Sequence, residues 1–540
     1  MQGESIGVPV TRRGLIKAGF GVAAFREDGP VVTTQEGQLR GIATEKLHIF
    51  KGIRYGETTA GANRFRAPVP VAPWEGVRDA TKLGDQAYQL QDTWEPWKED
   101  GGSEDCLVLN VWSPIGAEKK PVMVWIHGGG YRYGSGGAPA YDCGHLAERG
   151  EVVTVSVNHR LNIFGFLHLA DLSDKFSNAS NVGLLDLAES LRWIQRNIAA
   201  FGGDRDNVTI FGQSGGGKKV TCLMSMPEAK GLFHKAILMS GSEYTIKTAE
   251  AGTADAERVL EHFKIGKDNV EMLQDIPAEK LYQCFLDMHA RDPNGRFAEP
   301  VVHPSSIPFQ PSSPAANELS KDVPLMVGTT EEESTYFLLF KDMLKDPVDD
   351  AGIAAATAAY FPKMDELDKA KLPALIKAYG ERRLPDGDPT RMLIAVTSDL
   401  QFGRYAIIQA ENRLKVAAAP AYHYIFGFKD PYLDSAYAVH GTEVLFVLDH
   451  LDLNEVWGEE GIQEMRNKID PEGKRYELRD ATVDAWTSFA RDGKPSSSKL
   501  PEWPAYNLEN RPTMRFDLES TVVNDLLGKE AHDLLTGISL

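Results

Sequence analysis

Residues 207–216 read Asn207-Val208-Thr209-Ile210-Phe211-Gly212-Gln213-Ser214-Gly215-Gly216. The β-branched and aromatic run predicts a strand, and Val220 through Met226 predict a helix after it. Between them stands a G-x-S-x-G pentapeptide. A serine on so sharp a strand-to-helix turn is forced into a strained backbone conformation, and side chains two residues before and after it would collide. The turn lifts the hydroxyl above a sheet, and the helix N-terminus behind it aims partial positive charge at the site. Gly and Ser are common, so the pentapeptide alone is a weak signal. The strand before it and the helix after it make Ser214 a candidate nucleophile rather than a Gly/Ser turn.

Outward from this point the chain alternates. Pro121–Ile126, Val152–Val157, Lys235–Met239, Pro324–Val327 and Tyr422–Phe426 read as buried strands. Gly183 to Ala200 carries Leu184, Leu187, Leu191, Ile194 and Ile198 at helical spacing. This alternation predicts an α/β fold, a mostly parallel central sheet with helices on both faces. Active sites of such sheets lie beyond the carboxyl ends of the strands. His127-Gly128-Gly129-Gly130 follows one strand end and Gly328-Thr329-Thr330-Glu331-Glu332-Glu333 another.

A glycine run after a strand suits an oxyanion hole. Attack on an ester puts negative charge on the carbonyl oxygen, and glycines let backbone N–H groups approach it; losing one donor costs ~3–4 kcal/mol. The competing reading is a flexible turn. The run and the pentapeptide in this order are far more specific than either alone. His127 precedes the loop and reads as its brace, not as the base.

A serine nucleophile needs a base, usually His, oriented by a carboxylate; the α/β-hydrolase order is Ser, then Asp or Glu, then His. His234, His262, His289, His303, His423, His440, His450 and His532 all follow Ser214, and spacing alone does not choose among them. His440 sits in a loop beside Gly441, which suits an exposed ring. His423 lies inside a strand and reads as a packed core histidine. Glu331, Glu332 and Glu333 compete for the acid, against the bland alternative of a solvated acidic loop.

Composition narrows the class. Of 540 residues, 42% are hydrophobic and 25% charged, ordinary for a globular protein. The formal charge of −19 and the lack of any Lys/Arg run set nucleic acid aside as a partner. Cys106, Cys143, Cys222 and Cys284 show no metal-ligand spacing and read as free thiols. No apolar stretch is long enough to span a bilayer. Thr11-Arg12-Arg13-Gly14-Leu15-Ile16-Lys17 reads equally as a twin-arginine export signal or as a chance pair in a disordered leader. The first reading implies an exported or periplasmic protein and the second a cytoplasmic one. Residues 1–29 are therefore set apart as a leader, and 30–540, which no repeat or linker divides, are taken as a single domain.

Further stretches carry a family resemblance. Phe50-Lys51-Gly52-Ile53-Arg54-Tyr55-Gly56, Phe65-Arg66-Ala67-Pro68, Ser103-Glu104-Asp105-Cys106-Leu107-Val108-Leu109-Asn110-Val111, Val157-Asn158-His159-Arg160-Leu161, Asn181-Val182-Gly183-Leu184-Leu185-Asp186 and Phe201-Gly202-Gly203-Asp204 span most of the chain. Together with the glycine run and the pentapeptide, they resemble the type B carboxylesterase/lipase family, which includes cholinesterases and bacterial para-nitrobenzyl esterases. The resemblance implies the α/β-hydrolase fold. It selects Glu333, from Glu333-Ser334-Thr335-Tyr336-Phe337, where Ser334 replaces the family's usual Gly. It selects His440, from His440-Gly441-Thr442-Glu443. It also implies Gly129, Gly130 and Gly215 as oxyanion donors, with Gly215 in place of a commoner Ala, an exchange expected not to matter. Many members join the Cys106 position to an upstream cysteine. None precedes it here, so the Gln86–Gly102 loop is expected to be unstapled. In lipases of the family this loop is a lid, and here it carries Trp94 and Trp97.

The implied function is a serine carboxylic-ester hydrolase working through a Ser214-His440-Glu333 triad and an acyl-enzyme, with a small-molecule ester as partner and no metal or organic cofactor required. The alternatives are a lipase, an amide or carbamate hydrolase on the same triad, and a non-catalytic cholinesterase-like adhesion module. Arg132, just after the glycine run, reads as either an anion-binding group or a structural arginine. Oligomeric state, monomer or dimer, is not decided by sequence.

Overall fold

In the computed structural model the described residues are 29–89, 102–242, 245–292, 295–345, 349, 352–382, 387–416, 419–432, 435–452 and 461–539. Arg12, Arg13, Trp94 and Trp97 lie outside them.

The main sheet has eleven strands. In chain order they are β1 (Ile42–Ala43), β2 (Leu47–Arg54), β3 (Val108–Pro114), β4 (Lys120–Ile126), β5 (Val153–Val157), β6 (Gly203–Gln213), β7 (Lys235–Met239), β8 (Leu325–Thr330), β9 (Ala421–Phe426), β10 (Pro512–Phe516) and β11 (Thr521–Asn524). Their order across the sheet is β11-β10-β9-β8-β7-β6-β4-β5-β3-β2-β1. Every neighbouring pair from β10 to β5 is parallel, and the pairs at both margins are antiparallel. The helices that matter below are α1 (Val182–Asn197), α2 (Gly215–Met224), α3 (Ala249–Phe263), α4 (Ser334–Phe340), α5 (Thr442–Val447) and α6 (Lys474–Asp492).

The continuous apolar runs of the central strands follow from burial on both faces. Along β4, Val122, Val124 and Ile126 pack with Leu187, Leu191 and Ile194 of α1 and Val220 of α2. The intervening Met123 and Trp125 pack on the opposite face with Val444 of α5 and Trp486 and Phe489 of α6. A third core joins helices Leu372–Arg382, Pro389–Ser398 and Lys529–Thr536 through Leu375, Leu393 and Leu535. No helix among the described residues is long and apolar enough to cross a membrane.

Several quoted motifs resolve into buried ion pairs. Arg160 donates to both carboxylate oxygens of Asp186, at 2.8 and 2.5 Å, with both side chains essentially sealed from solvent. Arg64 forks onto Glu104 at 2.6 Å through two nitrogens. Planar bidentate pairs of this kind fix orientation, and removing one partner leaves an unpaired buried charge costing ~3–5 kcal/mol. All four cysteines are buried free thiols, so Cys106 is unpaired with sulfur, as expected.

One boundary differs from the sequence expectation. Strand β6 runs on to Gln213 and α2 begins at Gly215, so Ser214 alone forms the turn. Three successive glycines are poor helix formers. Their place is set by packing instead, since a Cβ on Gly216 would stand 2.0 Å from the Ile126 carbonyl oxygen.

Candidate active site

Ser214 adopts φ 57° and ψ −123°, a conformation that a side-chain-bearing residue holds only under constraint. The constraint is visible. Its N–H donates to the Met239 carbonyl of β7 at 2.8 Å, and its own carbonyl accepts from Lys218 N–H at 3.0 Å. Behind it, Gly215 opens α2, so its N–H has no acceptor within the helix.

The glycine loop after β4 passes directly over this turn. Gly129 and Gly130 take φ 82° and 63°. The backbones of Gly130 and Gly215 are in contact, so that a Cβ on Gly215 would lie 2.3 Å from Gly130 N and from Gly130 O. A side chain at 215 would therefore require the Gly130 loop to shift. The loop is held from outside. The Gln89 amide exchanges two 2.9 Å hydrogen bonds with the Gly134 backbone. Asn162 donates to the Arg132 carbonyl at 3.1 Å.

His127 is buried, and burial together with nearby Lys219 holds its imidazole well below the usual range. It stacks on His159 at 5.0 Å. Such a neutral, packed ring fits the bracing role. Lys219 of α2, unremarked in the sequence, is fully buried and donates to the His127 carbonyl at 3.1 Å. Burial lowers its ammonium to about 7. Arg132 pairs with Glu299 at 3.4 Å and lies 3.0 Å from His289 Nε2. Glu299 also pairs with Arg296 at 2.7 Å, so Arg132 belongs to a side-chain network in which one carboxylate serves two guanidinium groups.

Glu333 stands three residues past the end of β8, at the head of α4, and His440 between β9 and α5. His440 Nδ1 donates to Glu333 Oε2, and Glu333 Oε1 accepts the Thr330 N–H at 2.8 Å. The neighbouring acids turn elsewhere. Glu332 accepts the Ala438 N–H at 3.0 Å, and Glu331 pairs with Arg515 at 3.0 Å. His423, in β9, is buried against Thr513 Oγ1 at 3.0 Å, a core histidine as expected. Among the described residues Ser214 Oγ has no hydrogen-bond partner, and His440 Nε2 faces the Gln213 amide nitrogen at 3.3 Å instead. With Nδ1–H committed to Glu333, Nε2 carries a lone pair, and the amide donates to it. Catalytic hydrogen bonds often tighten only when substrate arrives.

Two further features escaped the sequence reading. Glu443 is fully buried, accepts from Ser240 Oγ at 3.2 Å, and is pushed up to about 8 by burial and then by the charge of Glu333. It is therefore mainly neutral near pH 7. Phe402 lies 4.7 Å, centroid to centroid, from the His440 ring, with Phe337 at 5.2 Å. It is carried on a π-helical turn, Asp399–Gly403. Such turns are rare and concentrate at functional sites, but nothing in the local sequence announces this one.

A model of the carboxylesterase family matches residues 28–534. The chain belongs to the carboxylesterase family. One relative is the para-nitrobenzyl esterase of Bacillus subtilis (strain 168), 35% identical over 504 residues, which are 92% of this chain and 96% of that protein. Another is phenmedipham hydrolase of Pseudarthrobacter oxydans, 31% identical over 535 residues, 94% of this chain and 97% of the relative. A thermophilic para-nitrobenzyl esterase structure superposes with a TM-score of 0.79 at 33% identity, covering 94% of this chain and 99% of its own. This carboxylesterase is a serine carboxylic-ester hydrolase of the α/β-hydrolase fold.

Proposed function

We propose that Ser214 is the nucleophile of this esterase, His440 its general base and acid, and Glu333 the carboxylate that orients His440, with the N–H groups of Gly129, Gly130 and Gly215 as the oxyanion hole. The observation that carries the reading is convergence: the strained serine after β6, the Gly130–Gly215 backbone contact after β4, and the hydrogen bond that joins Glu333, after β8, to His440 in the segment between β9 and α5. As substrate binds, His440 Nε2 exchanges the Gln213 amide for the Ser214 hydroxyl and takes its proton. Ser214 Oγ attacks the ester carbonyl, and the charge develops against the three N–H groups. The alcohol leaves with the proton from His440. Water then hydrolyses the acyl-enzyme by the same route. Glu333 holds the imidazole in one tautomer and stabilises its charged form.

Tyr336, Phe337 and Phe402 form a half-buried aromatic wall beside His440. This wall favours esters bearing an apolar or aromatic group. Residues 30–540 are read as one hydrolase unit, because the main sheet takes strands from both ends of that span.

The test is hydrolysis of para-nitrophenyl esters of rising acyl length by wild type and Ser214→Ala. The variant should lose roughly 10⁴–10⁶ in kcat. Equal activity of both proteins would overturn the nucleophile, and equal inertness would favour the adhesion-module reading. A rate that jumps above the substrate's solubility limit would mark a lipase.

A further inference from the structure

The chain shows no metal-ligand spacing, yet the fold gathers His168, Asp171 and His303 so that one donor atom from each lies within 4.8 Å of the others. Among the described residues no other group of three His, Cys, Asp or Glu side chains does so. Asp171 stands between the two rings: Oδ2 is 3.0 Å from His168 Nε2 and Oδ1 is 3.4 Å from His303 Nε2. Metal–nitrogen bonds of about 2.0–2.1 Å at a tetrahedral centre place neighbouring donors roughly 3.4 Å apart, so the three donors, already within 4.8 Å of one another, would close in on the ion.

The surroundings are those of a prepared site. Each imidazole is oriented through its other nitrogen by a serine hydroxyl, His168 Nδ1 by Ser180 at 3.2 Å and His303 Nδ1 by Ser305 at 2.7 Å. The backbone N–H of Ser305 donates to His303 Nδ1 at 3.3 Å, a bond that the ring gives up when Nδ1 takes the proton and Nε2 turns to a metal. Ligating histidines ordinarily have such a partner, and it sets tautomer and ring angle. A hydroxyl can donate or accept. Without a metal, both rings can donate Nε2–H to Asp171; with one, the proton moves to Nδ1 and the serines accept it. Thr253 of α3 donates to Asp171 Oδ2 at 3.2 Å. The segment carrying His303 is pinned by the Asn181 amide, which bonds Val301 O at 2.8 Å, Val301 N–H at 2.8 Å and Ser306 Oγ at 2.9 Å. Asn181 directly follows Ser180, so both histidines are referred to one stretch of backbone. His168 is buried, while Asp171 is 42% exposed and opens the cluster to solvent.

We propose that His168, Asp171 and His303 bind one divalent transition-metal ion of the zinc class, at a site separate from Ser214 that ties the 168–171 segment to the 301–306 segment. Two imidazole nitrogens and one carboxylate oxygen suit zinc, cobalt or nickel; magnesium and calcium prefer all-oxygen shells. The three side chains leave the ion's fourth position to water on the exposed Asp171 side.

The experiment uses the full chain without an affinity tag, stripped by chelator, and titrates cobalt while recording visible absorption. Wild type should take up one equivalent with ligand-field bands that zinc displaces. His303→Ala and Asp171→Asn should each weaken binding at least tenfold. Zinc should raise the Tm of wild type but of neither variant, and magnesium should raise none. Ester hydrolysis by the stripped variants checks that they are folded, and the half-exposed Asp171 position keeps the test open if the histidine variant fails. An absence of bands in wild type, or bands undiminished in a folded variant, would overturn the site.

Discussion

The two halves of the Ser214 site are built differently. The nucleophile side is made of backbone: a one-residue turn at φ 57° and a loop with Gly129 and Gly130 in the left-handed region, in contact so close that a Cβ on Gly215 would displace Gly130. The base side is made of side chains. His440 and Glu333, 107 residues apart in sequence, meet through loops that follow β9 and β8, and their partners are aromatic rings and a neutral acid. The first half is fixed by sterics over a few residues; the second depends on packing from distant parts of the chain. A local change should therefore act sharply on the first half, whereas the second should grade from severe to mild with distance from the proton.

The largest effect should come from the second half at its centre. His440→Ala should lower kcat by roughly 10⁴–10⁶, and Glu333→Gln by about 10⁴, measured on a para-nitrophenyl ester. Glu331→Gln and Glu332→Gln should leave kcat largely intact, since those acids face Arg515 and the Ala438 N–H. If all three acids matter equally, the side-chain half has been assigned wrongly.

Next comes the backbone half. Gly215→Ala puts a Cβ 2.3 Å from Gly130 N, so the loop must shift. The expected loss is about 10²–10³ in kcat with little change in KM, the cost of one displaced oxyanion donor. An alanine variant with wild-type kcat would show that the loop yields without penalty.

Smaller and of another kind is the effect of Glu443. Its folded pKa is raised to about 8, above the unfolded carboxylate value of about 4.3. At low pH both states hold the proton. As pH rises towards 8 the unfolded state releases it while the folded state keeps it, so stability falls across that window. Glu443→Gln, which keeps a partner for Ser240, should flatten the decline, gaining on the order of a few kcal/mol at pH 8 relative to pH 5. Parallel denaturation curves at the two pH values decide it, and identical slopes with pH would refute the assignment. The mildest change should be Phe402→Ala, with roughly tenfold lower kcat/KM for aromatic esters and little change for acetates.

The contrast also explains what the sequence could reveal. The strands were legible because burial on both faces leaves unbroken apolar runs, and the turn at Ser214 because glycine spacing is a direct record of steric need. The choice of His440 among the histidines, and of Glu333 among three adjacent acids, required family resemblance; geometry separates them only through partners such as Thr330 N–H and Arg515. The contact of Gly215 with Gly130, which β5, α1 and β6 separate from it in sequence, leaves no local trace. Phe402, Lys219 and the pairing of His168 with His303 were hidden for the same reason: each acquires meaning from a neighbour brought in by the fold.

The most direct test of the account is to find the acyl group. The enzyme is mixed with para-nitrophenyl acetate, quenched in acid during turnover, digested, and its peptides mapped by mass. The account predicts one acetyl group on the peptide bearing Ser214, accumulating further in a Glu333→Gln variant if deacylation slows, and absent from Ser214→Ala. An acetyl group on another residue, with Ser214 unmodified while ester is still being consumed, would contradict it.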